Sequence, residues 1–80
     1  MRILDEDNDK AIKSVTILLT LLEAIELRDD LDKMLQKEHL YNHTHINDIE
    51  YKHEITVAIY NTNEIESYNE RIKKVILKDE

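Results

Sequence analysis

The sequence predicts a single 80-residue domain of the α+β class, with a long N-terminal helix, a β-hairpin and a C-terminal helix. Two patterns predict this fold. Apolar residues recur at helical spacing in the first half of the chain, whereas residues 49 to 60 alternate between apolar and polar, as in a half-exposed strand. The chain has no Gly, Pro or Cys, so disulfides and cysteine-ligated metals are excluded as sources of stability.

The first predicted element is a helix over residues 8 to 38, with Asp7 or Asn8 as its N-terminal cap. Apolar residues form two stripes at helical spacing: Ala11, Val15, Leu18, Leu22 and Ile25 in one, and Ile17, Leu21, Ala24, Leu31 and Leu35 in the other. These stripes leave the middle of the helix apolar on most of its circumference, so we expect a second copy of the chain to cover it. The predicted interface of this homodimer is Leu18, Leu19, Leu22 and Ile25.

The second predicted element is a hairpin of residues 40 to 46 and 49 to 60, with a two-residue turn at Asn47 and Asp48. Asn and Asp tolerate the positive φ that such a turn needs. The predicted inner pairs are Ile46 with Ile49, Thr44 with Tyr51 and Leu40 with Ile55; the outer pairs are His45 with Glu50 and Tyr41 with Glu54. This register matches polarity on both faces, and it leaves the far half of the longer strand free to pair with a second chain.

The third predicted element lies between residues 64 and 77. Asn63 and Glu66 have the spacing of a capping box, and Ile65, Tyr68, Ile72, Val75 and Ile76 follow at helical spacing. Residues 71 to 77 also contain a β-prone run, which would instead form a third antiparallel strand after the hairpin. The helix satisfies more of the pattern and is preferred, with the three-stranded sheet as the alternative.

No pattern in the sequence points to catalysis. Ser14 and Ser67 lack the strained turn and the neighbouring base that activate a hydroxyl nucleophile. The acidic run at Asp29, Asp30 and Asp32 lacks the glycine of an EF-hand calcium loop. We therefore expect neither an enzyme nor a cofactor.

Three of the four histidines fall within seven residues, at His39, His43 and His45, and imidazoles at this density can bind zinc or nickel. On the predicted hairpin, however, His53 lies on the opposite face from His43 and His45, and no established metal motif is present. Exposed strand residues are the favoured interpretation, with a small His-based metal-binding protein as an alternative.

Acidic residues outnumber basic ones by 18 to 11, which gives a net charge of −7. This charge disfavours direct binding to nucleic acid or to an anionic membrane, because both require basic patches. No apolar stretch approaches the roughly 20 residues of a membrane-spanning helix, and the first residues do not form a signal peptide. We expect a soluble, cytoplasmic protein.

One acidic group follows the second half of the predicted helix and comprises Glu23, Glu26, Asp29, Asp30 and Asp32. Spacings of three and four residues place side chains about 5 to 6 Å apart on a helix, and neighbouring phosphates of a DNA strand have a similar separation. Like charges at this spacing destabilise a helix by a few tenths of a kcal/mol per pair. A function that needs negative potential explains this cost, whereas solubility alone is the alternative.

A small, strongly acidic, cysteine-free chain with rows of carboxylates resembles the small host-takeover proteins of phages, and among them the DNA mimics. The resemblance implies a dimer in the host cytoplasm that blocks a basic nucleic-acid-binding protein, such as a histone-like HU protein, a nuclease or a polymerase. The five helix carboxylates are the predicted contact residues. The alternative is an adaptor or inhibitor that acts through apolar helix packing or a strand edge.

Overall fold

A mixed α+β structure is confirmed by the computed structural model, which describes residues 1–36 and 42–80. The elements, in chain order, are strands β1 (Ile3–Asp5) and β2 (Lys10–Ile12), helix α1 (Leu21–Leu35), strands β3 (His43–Asn47) and β4 (Glu54–Ala58), a 3₁₀ helix (Thr62–Ser67) and helix α2 (Glu70–Lys78). Two compact units divide the chain: a terminal unit, Met1–Ile17 with Asn61–Glu80, and a central unit, Leu18–Tyr60. The single domain stays a prediction.

The terminal unit begins with an antiparallel hairpin in which β1 pairs with β2. Asp5 shapes the connecting turn, since its Oδ1 accepts the backbone N–H of Asp7 at 3.0 Å and of Asn8 at 3.3 Å. Asp9 takes a positive φ of 54° there, in a chain without glycine, and Asp tolerates this left-handed conformation better than most residues. The turn therefore owes its shape to aspartate side chains.

Helix α2 closes the terminal unit and confirms the prediction of a helix, so the alternative third strand is wrong. Its cap is Asn69, whose side chain accepts the N–H of Ile72 at 2.9 Å, and not the predicted Asn63. The predicted start at residue 64 is also wrong, because residues 62 to 67 form the separate 3₁₀ helix. Val75 and Ile76 are the buried residues of α2.

The central unit packs α1 against the sheet of β3 and β4. A capping box starts the helix: Thr20 Oγ1 accepts the N–H of Glu23 at 3.2 Å, and Glu23 Oε1 accepts the N–H of Thr20 at 2.8 Å. Among the described residues of this unit, the buried side chains are Met34 of α1 and Ile46 of β3, and Ile46 is only 3 % exposed.

The prediction of one helix over residues 8 to 38 is wrong. Residues 3 to 12 form the first hairpin, residues 13 to 20 are not helical, and α1 starts at Leu21. Asp7 and Asn8 cap no helix, because they belong to the turn that Asp5 organises. The side chains of Asp5 and Asn8 bond locally in this turn and so compete with helix formation. The predicted final residues, 37 and 38, lie outside the described residues.

The predicted turn and register of the second hairpin are also wrong. Asn47 belongs to β3, and residues 48 to 53 form a six-residue loop, so Ile49, Tyr51 and His53 lie outside the strand. The observed pairs are His43 with Ala58, Thr44 with Val57, His45 with Thr56, Ile46 with Ile55 and Asn47 with Glu54. Leu40 and Tyr41 lie outside the described residues, and their predicted partners, Ile55 and Glu54, pair with Ile46 and Asn47.

Candidate partner-binding surface

The five carboxylates predicted as contacts all lie on α1, but two of them have structural partners. Glu23 belongs to the capping box at the start of the helix. Asp30 Oδ2 accepts the hydroxyl of Thr44 on β3 at 2.7 Å, which ties the helix to the sheet. Both side chains are partly buried, and because their carboxylates bond within the central unit, they are less available to a partner.

The other three carboxylates are exposed. Glu26, Asp29 and Asp32 follow one another at intervals of three residues, so each lies slightly less than one turn beyond the last. They form a line that winds around the exposed side of the helix. Arg28 bonds its neighbour Asp29 at 3.0 Å and offsets part of that charge. We call Glu26, Asp29 and Asp32 the acidic line.

The residues predicted as a dimer interface do not share one helical stripe. Leu18 and Leu19 precede the helix, whereas Leu22 and Ile25 lie in its first two turns. Leu18 is 89 % exposed and Leu22 is 76 % exposed, while Ile25 is half-buried. The apolar stripe that the spacing predicts is therefore helical only from Leu21 onward, although Leu18 and Leu22 are largely accessible.

A groove of about 870 Å³ lies between the start of α1 and the loop of residues 48 to 53. Leu22, Glu23 and Glu26 line it from the helix, and Ile49, Glu50 and Tyr51 line it from the loop. The groove was not predicted from the sequence, because the alternating pattern places Ile49 and Tyr51 in a strand. In the structure both side chains lie in the loop and are largely exposed.

Asp48 organises the loop that borders the groove. Its Oδ1 accepts the N–H of Lys52 at 2.8 Å and that of His53 at 3.3 Å, and its Oδ2 lies 2.6 Å from Nδ1 of His53. The bond to the His53 ring, followed by the backbone N–H groups, holds the pKa of Asp48 below its ordinary value of 3.8. Tyr51 has a positive φ of 56°, and its N–H donates to the Asp48 carbonyl.

His43 and His45 lie on the exposed face of β3, as predicted, and their rings meet edge to face at 5.3 Å. Nδ1 of His45 lies 2.8 Å from a carboxylate oxygen of Glu54 and from the hydroxyl of Thr56. The predicted position of His53 on the opposite face of the strand is wrong, because His53 lies in the loop. His39 lies outside the described residues, and in the described part of the chain no three His, Asp or Glu side chains are placed to hold a metal ion.

About half of the acidic residues of the terminal unit bond Arg or Lys within that unit. Arg71 bonds Glu6 at 2.6 Å and Asp9 at 2.5 Å, and these two bonds raise its pKa. Lys73 bonds Glu66 at 3.1 Å and Glu70 at 3.3 Å, and these bonds raise the Lys73 pKa.

The end of α2 is paired in the same way. Asp79 bonds Lys13 and lies 3.9 Å from Arg2, and these cations lower the Asp79 pKa, the Lys13 bond most of all. Arg2 also donates to the carbonyls of Val75 and Ile76, at 3.2 and 3.1 Å, near the helix end. Local neutralisation in the terminal unit leaves the acidic line on α1 as the less compensated surface.

Comparisons of the chain with protein-family models, with curated proteins and with solved structures find no match. Across residues 1–36 and 42–80, no helix has both the length and the apolar character needed to cross a bilayer.

Proposed function

We propose that this chain is a small, non-enzymatic acidic protein that binds a basic host protein and competes with nucleic acid for it. The observation that carries the proposal is the acidic line of Glu26, Asp29 and Asp32, which is exposed on a helix held at its start by the capping box and at its middle by the bond of Asp30 to Thr44. The terminal unit offers less free negative charge to a partner, because many of its carboxylates bond Arg or Lys within the unit. This contrast supports the acidic line as the contact surface.

The physical mechanism is replacement of phosphates by carboxylates on the basic surface of the partner. A net charge of −7 steers a basic protein toward the chain, and the attraction weakens as salt screens it. Glu23 and Asp30, which we predicted as contacts, take a different role in this proposal. They fix the start and the middle of α1, so that the acidic line keeps its position.

The test is capture from a bacterial lysate at low salt with the immobilised chain, followed by elution in a salt gradient and by elution with duplex DNA. The variant reverses Glu26, Asp29 and Asp32 to Lys. Its matched control reverses three exposed carboxylates of the terminal unit, Asp7, Glu64 and Glu80, and so carries the same net charge.

We expect the native chain and the control to retain basic nucleic-acid-binding proteins, which both salt and duplex DNA release. The acidic-line variant should retain at least tenfold less. Equal capture by the two variants would show that only net charge matters, and captured proteins that duplex DNA does not release would contradict competition.

A second candidate function is apolar assembly, either with another copy of the chain or with a neutral partner. The observation that favours it is the exposed apolar surface at the start of the central unit, where Leu18 and Leu22 are largely accessible. Fully burying one leucine side chain contributes about 1.5–3 kcal/mol, so a few of them can hold a second chain. The homodimer through Leu18, Leu19, Leu22 and Ile25 belongs to this candidate.

Sedimentation measurements on the native chain and on a Leu18→Ser, Leu22→Ser variant test this second candidate. A dimer that persists at high salt and dissociates in the variant supports apolar assembly. A native chain that remains monomeric at high concentration contradicts the homodimer.

A further inference from the structure

We infer that the groove between the start of α1 and the loop of residues 48 to 53 binds a short basic segment of the partner, with an apolar side chain of that segment inserted beside Leu22, Ile49 and Tyr51. The inference rests on the proposed function and deepens it. It names the chemistry of the bound segment: Lys or Arg residues that flank a leucine or an aromatic residue.

The apolar side chains that line the groove are largely exposed. Ile49 is 94 % exposed and Tyr51 is 80 % exposed, and Leu22 faces them from the helix. Three large apolar side chains from two different segments of the central unit therefore converge on one concavity. A concavity with exposed apolar side chains and polar groups around them is suited to binding an apolar side chain of a partner.

The charge of the lining identifies the occupant. Four carboxylates line the groove, those of Glu23, Glu26, Asp48 and Glu50, against the side chains of Lys52 and His53. Lys52 bonds Glu50 at 2.8 Å and His53 bonds Asp48, so both basic groups face carboxylates of their own loop. The lining keeps an excess of negative charge, which complements a cationic segment and repels nucleic acid and anionic lipid.

The geometry of the loop favours a preformed groove. Tyr51 is a bulky residue in a left-handed conformation, which is unusual outside glycine, Asn and Asp. The loop holds it there through the Asp48 carbonyl and the bonds of the Asp48 carboxylate to Lys52 and His53. A side chain that is presented by a fixed loop loses less conformational freedom on binding, and such unusual conformations concentrate at ligand sites.

The groove also continues into the acidic line, since Glu26 belongs to both. A basic segment that places one apolar side chain in the groove therefore extends its next cations toward Asp29 and Asp32. In this arrangement the groove supplies the apolar contact and the line supplies the electrostatic one.

The probe is the heptapeptide acetyl-Lys-Leu-Lys-Trp-Lys-Leu-Lys-amide. Since the chain contains no Trp, the peptide's Trp fluorescence reports binding when it is excited at the red edge of Trp absorption, where the Tyr residues of the protein do not absorb. We expect saturable binding with a blue shift of the Trp emission. A peptide in which Ser replaces Leu and Trp should compete at least tenfold more weakly, and so should a peptide in which Gln replaces Lys.

The decisive variants are Tyr51→Asn and Leu22→Ser, with Leu35→Ser as the matched control on an exposed part of α1 that does not line the groove. Asn accepts a left-handed conformation, so the first variant removes the ring and keeps the loop fold, which circular dichroism verifies. We expect both groove variants to weaken peptide binding at least tenfold and the control to stay within twofold.

Three outcomes overturn the inference: unchanged binding by Tyr51→Asn, equal competition by the serine peptide, or a native dimer that must dissociate before the peptide binds. The last outcome assigns the groove to a second copy. Failure of the proposed function is distinguishable, because then duplex DNA releases no captured protein while the heptapeptide still binds the groove.

Discussion

The start of α1 gives the sharpest test of the fold, because two descriptions of the helix predict opposite signs for one substitution. If the helix began near residue 8, Thr20 would lie in its interior, and Thr20→Ala would stabilise the protein. In the structure Thr20 is the N-cap, and its hydroxyl and backbone N–H both bond Glu23. Removing the hydroxyl then leaves an N–H of the first helical turn without its partner.

The expected magnitude follows from the hydrogen bond of the capping box that the Thr20 hydroxyl accepts. Replacing an N-cap Thr by Ala costs about 1 kcal/mol, within a range of roughly 0.5 to 2. In a helix interior the same replacement gains up to about 0.7 kcal/mol, because Ala has the higher helix propensity. The two descriptions therefore differ by more than about 1 kcal/mol, and for a chain of this size about 1 kcal/mol corresponds to a shift of roughly 4–8 °C in Tm.

Urea unfolding followed by circular dichroism at helix wavelengths measures the free energy of unfolding of Thr20→Ala. Thr16→Ala is the control, because Thr16 is exposed and precedes the helix. We expect a clear loss for Thr20→Ala and a change within about 0.5 kcal/mol for Thr16→Ala. A gain in stability for both variants would refute the observed helix start and restore the longer helix.

Three further predictions concern the core, the loop and the terminal unit. Ile46→Ala should lower the free energy of unfolding by about 2–5 kcal/mol, whereas Ile49→Ala, at an exposed position, should stay within about 0.5 kcal/mol in the same urea titration. The lowered pKa of Asp48 contributes stability above its ordinary value of 3.8 and loses it as pH falls through the folded value, so Asp48→Asn should flatten the acid limb of a Tm-against-pH curve. Arg71→Gln should lower Tm at about 0.01 M salt, and the difference from the native chain should vanish near 1 M, where the Debye length falls to roughly 3 Å; a salt-independent loss would contradict an electrostatic role for Arg71.

The sequence contains a signal for the start of α1, but the long apolar run before it favours an earlier start. Thr20 and Glu23 have the spacing of a capping box, which is a specific start signal. The apolar pattern extends upstream of Thr20, because Val15 and Leu18 have helical spacing with Leu22, and this pattern outweighed the capping signal. Periodicity shows only that a segment is compatible with a helix. Hydrogen bonds at the end of a helix decide where it starts, and those depend on single side chains.

The hairpin shows a different limit. The register error is six residues, since Ile46 pairs with Ile55 and not with Ile49. A shift by an even number keeps every strand side chain on its face, so the sorting of Thr44 and Ile46 inward and of His43 and His45 outward is confirmed. Alternation therefore predicted the faces correctly, whereas the register depended on a loop whose shape comes from the Asp48 side chain.

The candidate surface was the least predictable part, because the sequence does not distinguish carboxylates that fold the chain from those that remain available. Glu23 and Glu26 are equivalent in a list of acidic residues, yet the first caps the helix and the second is exposed. The same holds for Asp30, which bonds Thr44 fourteen residues away, beside Asp29, which bonds only its neighbour among the described residues. Reversing Glu23 or Asp30 should therefore lower stability as well as binding, whereas reversing Glu26 or Asp32 should change binding alone. A capture experiment paired with a urea titration of each variant separates the two effects, and equal stability losses at Glu23 and Glu26 would contradict this division of the helix.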